Sequence, residues 1–174
     1  VASDELAANL SDPPALTGDL LTSIEWHGVV SRPIITASVS FRYVNGGSNG
    51  HWEGFVFPEN DWSGRAQILT GATDAPETEF SYNLTSLVAG YTSFSISLRL
   101  ATAGSGASWG HSAIDDFEVL IGFQPANGTS NWSYVEPFDR TPDSNWEILD
   151  GTRWVVANGV SPNGTSLTHL IDTT

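Results

Sequence analysis

The sequence predicts an all-β protein, an antiparallel jelly-roll-like β-sandwich with an extended N-terminal leader and extra C-terminal strands. Three observations carry that expectation. At least six segments alternate apolar and polar residues with a period of two, the period of a strand with one face on a core. Gly, Asn and Pro separate those segments, as they do in turns. No stretch carries the 3.6-residue pattern of a long helix, which leaves sheet-on-sheet packing as the way to bury the apolar faces.

In chain order, residues 1–21 are polar and contain Pro13, Pro14 and Gly18, and read as the leader. Residues 22–124 form the expected sandwich domain. Ile35, Ala37, Val39, Phe41 and Tyr43 alternate with Thr36, Ser38, Ser40 and Arg42, the strongest strand signal in the chain. The loop Asn45–Gly50 interrupts it, His51–Phe57 resumes it, and Trp62, Gly64, Ala66 and Ile68 continue on one face. Phe80, Tyr82 and Leu84 form the next alternating set, followed by Phe94, Ile96, Leu98 and Leu100. Residues 113–123 close the block with Phe117, Val119, Ile121 and Phe123 on one face. Residues 125–135, rich in Asn, Gly, Thr and Ser, read as a linker. Residues 136–174 read as an incomplete second β segment, as assembly strands, or as strands that complete a sheet of this domain or a neighbour, because two or three strands alone bury too little to stand as a domain.

Composition narrows the partners. The formal net charge is −14, with six Arg, no Lys and 20 acids. Such a surface repels nucleic-acid phosphates and anionic lipids, so neither nucleic acid nor membrane insertion is expected. There is no Cys, so the core carries the stability and thiolate zinc sites are excluded. The chain opens on Val1 and contains no Met, which leads us to expect a processed chain or a fragment. Five of ten Asn lie in Asn-x-Ser/Thr sequons, at Asn9, Asn83, Asn127, Asn131 and Asn163. The last four are the candidate glycosylation sites of an extracellular surface.

Asn83-Leu84-Thr85, the long alternating strand Phe94–Leu100, the Gly-rich loop Gly104–Gly110 and Ile114-Asp115-Asp116 together resemble the closing half of MAM-like and carbohydrate-binding-module-like jelly rolls. Phe138-Asp139, Trp146, Asp150-Gly151-Thr152, Trp154 and Asn158-Gly159 are similar to the opening of a laminin-G or concanavalin-like segment. The first resemblance implies a structural Ca²⁺ held by Asp115, with Asp116 beside it. Period-two counting puts Asp115 on the inward face, where a carboxylate needs a partner. A backbone hydrogen bond or an Arg would serve as well as calcium.

Catalytic patterns are weak. Gly46–Gly50 and Gly106–Gly110 match the nucleophile elbow literally but lack the strand-to-helix setting it needs. His27, His51, His111 and His169 have no metalloprotease spacing. Glu25, Glu53, Asp61, Glu118 and Glu147 are the acids from which a glycosidase pair would be drawn, yet the Glu-x-Asp-x-x-Glu pattern of concanavalin-like hydrolases is absent. Of seven Trp, Trp109 and Trp52 are the candidate glycan-stacking residues, because one sits in a Gly-Ser loop and the other is out of phase with Phe55 and Phe57.

The expectation from these features is a non-catalytic extracellular structural or adhesive subunit of a filament, fibre or virion appendage. Its partners are other copies of the same chain, paired through Trp146, Ile148, Trp154 and Val156. The alternative is a carbohydrate-binding module of a secreted multidomain enzyme, with glycans as partners. A concanavalin-like glycosidase comes third.

Overall fold

The structure, a computed structural model, describes residues 20–45, 50–59, 61–72, 75–102, 113–123, 130–136, 145–148, 155–156 and 160–161. Its strands are β1 (Leu20–Val29), β2 (Ile34–Asn45), β3 (Gly50–Pro58), β4 (Ala66–Thr70), β5 (Ala75–Asn83), β6 (Ser93–Thr102) and β7 (Ala113–Phe123). They are followed by β8 (Ser130–Glu136), β9 (Trp146–Ile148), β10 (Val155–Val156) and β11 (Val160–Ser161). A 3₁₀ turn, Trp62–Gly64, and one short helix, α1 (Thr85–Val88), complete the described elements.

The strands form two antiparallel sheets, so the chain is an all-β sandwich. The first sheet has the order β4-β3-β6-β1-β9, and the second runs β10-β11-β7-β2-β5 with β8 also on β7. The chain crosses between the sheets repeatedly, from β1 to β2 to β3 and from β4 through β5 and β6 to β7, and apolar alternation fills the space between them. Ile24 and Trp26 of β1, Ile96, Leu98 and Leu100 of β6, and Val39, Phe41, Phe117 and Val119 of the second sheet are all at most 2% exposed. Trp26 is the hub, with ring centroids 5.4–6.3 Å from Phe94, Phe117, Trp132 and Tyr134. Its indole lies across Gly28, where a Cβ would collide with it.

Several expectations need correction. Residues 130–136, expected within the linker, form β8, which pairs with Phe117–Phe123 of β7. The leader yields two residues to β1. Trp62 opens a 3₁₀ turn, because the Asp61 carboxylate accepts from the Ser63 amide and holds the chain out of the strand. It packs on Phe55 and Phe57, on the face turned away from the main core. The C-terminal segment also supplies strands to this sandwich. β9 pairs with β1 through Ile24, Glu25 and Trp26, and β11 meets β7 at Ile114.

Trp146 is therefore corrected from an assembly residue to a core residue. It is 9% exposed, meets Phe117 edge-on at 4.7 Å, and donates its indole N–H to the Tyr134 hydroxyl at 2.9 Å. Ile148 lies on the same strand opposite Ile24, and Val156 pairs with Val160. Trp154 lies outside the described residues.

Candidate functional site

Residues of β2, β5 and β7 alternate between the core and the outer face of the second sheet, and that outer face carries an open groove. A groove of about 610 Å³ crosses it, with Thr36, Ser38, Ser81, Asn83, Leu120 and Trp132 among its lining. Its side chains are hydroxyl and amide groups around Leu120, which is 46% exposed. The nearby aromatic rings lie on the other face of the sheet: Tyr82, opposite Val39 on the edge strand, runs nearly parallel to Phe80 at 6.3 Å, and Trp132, opposite Ile121, meets Trp26 at 6.3 Å and Tyr134 at 6.1 Å.

A second groove of about 630 Å³ adjoins the first at Ser81 and holds Arg42, Glu79, Asp116 and Glu118. Arg42 is its single described cation. Its guanidinium meets Glu77 at 2.7 Å, Asp116 at 2.6 Å and Asp115 at 3.8 Å. Burial pulls the Arg42 pKa down, but Asp116 and Glu77 outweigh it and hold the group above its ordinary value.

Asp115 and Asp116 are placed here by a bulge that the alternation did not reveal. Between Ser40 and Arg42 the β2–β7 register shifts, and Asp116 takes φ 50°. The extra residue resets the phase of the strand, so Asp115 pairs with Arg42 and not with the core-facing Tyr43. The inward placement is thus corrected, although Asp115 is still fully buried. Its carboxylate accepts from the Asp116 amide at 2.8 Å and faces the Arg42 guanidinium.

Among the described residues no group of three metal-ligating side chains converges, and the Asp115 and Asp116 carboxylates face the Arg42 guanidinium.

The outer face of the first sheet is of another kind. His51 and Glu53 of β3, Ser95, Ser97 and Arg99 of β6, and Ser23 and Glu25 of β1 are all 0–6% exposed. Glu53 is compensated by Arg99 Nε at 2.8 Å and by His51 Nε2 at 3.1 Å. Burial lowers the Arg99 pKa, Glu53 opposes that effect, and nearby Arg65 adds to it. At the other end His27 lies 2.7 Å from Ser95 Oγ and 3.6 Å from Glu25. Of the acids singled out from the sequence, Glu25 and Glu53 therefore share this face, and the β1–β9 register sets Glu147 opposite Glu25. Asp61 is an exposed cap and Glu118 lies on the other sheet.

Trp52 is corrected as a stacking residue. It is fully buried in the core, and its indole N–H donates to the Val44 carbonyl at 3.0 Å. Trp109 lies outside the described residues, as do both elbow-like glycine loops apart from Gly50 at the start of β3. Asn83 is exposed, and its side-chain oxygen accepts from the Thr85 amide at 2.9 Å. Asn131 falls in β8, while Asn127 and Asn163 lie outside the described residues.

The groove escaped the sequence reading. Tyr82 lies on the core face with Phe80, as its alternation with Ser81 and Asn83 requires, and its place on an edge strand leaves it 37% exposed. No family model matches the chain, and no curated protein matches it either.

Proposed function

We propose that this chain is a non-catalytic carbohydrate-binding module of an extracellular protein, and that its site is the groove on the outer face of the second sheet. The carrying observation is that groove itself, where Thr36, Ser38, Ser81, Asn83 and Ser133 present hydroxyl and amide groups around the exposed Leu120. The apolar Leu120 side chain covers the C–H side of a pyranose ring, and hydroxyl and amide groups exchange hydrogen bonds with sugar hydroxyls. The adjoining Arg42 and acids extend the polar surface by roughly a second sugar. The resemblance of Ile114-Asp115-Asp116 to carbohydrate-binding-module-like jelly rolls supports the same reading, as do the sequons for an extracellular setting.

Glycan-array binding followed by titration calorimetry tests it. Leu120→Ala should weaken the interaction at least about tenfold, the equivalent of about 1.4 kcal/mol, without changing the melting temperature by more than a few degrees. Binding unaffected by Leu120→Ala and Arg42→Met would refute the assignment.

A second reading, a structural subunit that pairs with other copies of itself, rests on β5. This strand is bonded to β2 alone among the described residues and offers an open edge, and such an edge accepts an added strand. Sedimentation at high protein concentration separates the two, since the binding module should stay monomeric.

A further inference from the structure

The free edge of β5 combines features that an edge held closed for its own sake does not need. β5 is bonded to β2 alone among the described residues, so from residue 77 to residue 83 every second residue turns its backbone N–H and C=O outward. Pro76, which has no N–H, limits that ladder at one end, and the turn into α1 limits it at the other. On the core face the outermost rings are left uncovered at the side. Phe80 is half-buried, Tyr82 is 37% exposed, and the two lie nearly parallel at 6.3 Å. On the outer face Arg42 takes Glu77 at 2.7 Å, while Glu79 is exposed and makes no ion pair or hydrogen bond among the described residues.

Pro and charge at an edge keep stray strands away, but that protection has no use for aromatic rings beside it. A strand added to β5 lies about 5 Å away and alternates as β5 does. Its side chains on one face meet Phe80 and Tyr82 and close the open side of the core. Those on the other face meet Glu79, Glu77 and Ser81. The first set is therefore apolar and the second basic. This chain does not contain that pattern. It has no Lys, and Arg32, Arg42, Arg65, Arg99, Arg140 and Arg153 are nowhere two residues apart. The net charge of −14 also opposes a second copy at this edge.

We propose that the β5 edge is a docking site for an extended segment of another protein in which Lys or Arg alternates with apolar residues, added as a further strand of the second sheet. Main-chain hydrogen bonds hold the segment, and its two faces give the specificity. The site does not depend on what fills the groove.

The test uses the full chain and fluorescein-labelled heptapeptides, read by fluorescence anisotropy. Lys-Val-Lys-Val-Lys-Val-Lys should bind at least about tenfold more tightly than the same residues in block order, Lys-Lys-Lys-Lys-Val-Val-Val, and than Glu-Val-Glu-Val-Glu-Val-Glu. Analogues N-methylated at every Val or at every Lys separate strand addition from charge attraction. One of those phases must turn its N–H groups to β5, so at least one analogue should lose about tenfold or more. Glu79→Lys should reverse the preference between the basic and acidic peptides. Glu59→Lys, the same change of charge beside the first sheet, should leave it in place. Tyr82→Ala should weaken the basic peptide; should that variant not fold, amide hydrogen exchange of the parent chain carries the expectation, with added protection confined to residues 77–83. The proposal is overturned if the alternating basic peptide does not bind, or if the block-order peptide or both N-methylated analogues bind as well as it does. It is equally overturned if Glu79→Lys leaves the preference unchanged, or if the chain sediments as a dimer that the peptide does not split.

Discussion

Replacing Trp146 by Ala separates a strand that completes this sandwich from a strand that waits for another copy of the chain. The indole is 9% exposed, stands 4.7 Å edge-on from Phe117 and donates to Tyr134. Truncating a buried Trp to Ala costs about 3–5 kcal/mol. The lost ring pair, about 0.5–1.5 kcal/mol, and the lost hydrogen bond, about 1 kcal/mol, place the expected loss near the middle, at about 4 kcal/mol. For a chain of this size that is a fall of roughly 8–16 °C in melting temperature. Urea unfolding followed by far-ultraviolet circular dichroism, at two protein concentrations about tenfold apart, measures it free of the altered tryptophan signal. An intramolecular β9 predicts the full loss and a midpoint that does not move with concentration. An exposed assembly residue predicts a change within about 0.5 kcal/mol, and assembly through the segment predicts a midpoint that rises with concentration. A loss below about 1 kcal/mol, or a concentration-dependent midpoint, would refute the placement of Trp146 in this core.

Three further outcomes are expected. Glu53→Gln should destabilise by about 3 kcal/mol or more, because it strands the buried Arg99 charge, whereas Glu53→Leu combined with Arg99→Met should recover most of the loss; denaturant titration of the two variants decides. Melting curves in excess calcium and in chelator should coincide, because Arg42 already balances Asp115 and Asp116, and a calcium-dependent rise would show that a metal displaces the guanidinium. The Asp61 carboxyl is held below its usual 3.8 by hydrogen bonds from the Ser63 hydroxyl and amide. Its contribution is therefore full above that value and disappears as pH falls through the lower folded value. Asp61→Asn should flatten the acid limb of the stability curve below about pH 4, and an unchanged limb would contradict this.

The alternation of residues by itself determined the strands and one of their two faces. Ala37, Val39, Phe41 and Tyr43, and Phe94, Ile96, Leu98 and Leu100, lie buried as their period of two requires, since a strand turns successive side chains to opposite sides whatever it packs against. Where that periodicity is broken, only the paired strands decide. Ile35 is 45% exposed because Ile34 takes the buried place at a register shift, and the bulge at Asp116 moved Asp115 from the core face to Arg42. Neither event leaves a mark in the residue types.

The fate of the second face is likewise a tertiary matter. Ser95, Ser97 and Arg99 read as solvent-facing and lie buried, while Tyr82, on the core face with Val39, is still 37% exposed because its strand is an edge. Sequence order also misled for the C-terminal strands. Residues 125–135 read as a linker and the strands after them as too few to form a domain, yet β8 folds back on β7 and β9 joins β1 from the far end of the chain. The two grooves and the Glu53–Arg99 face are each assembled from strands distant in sequence, so their chemistry exists only once the sheets have formed.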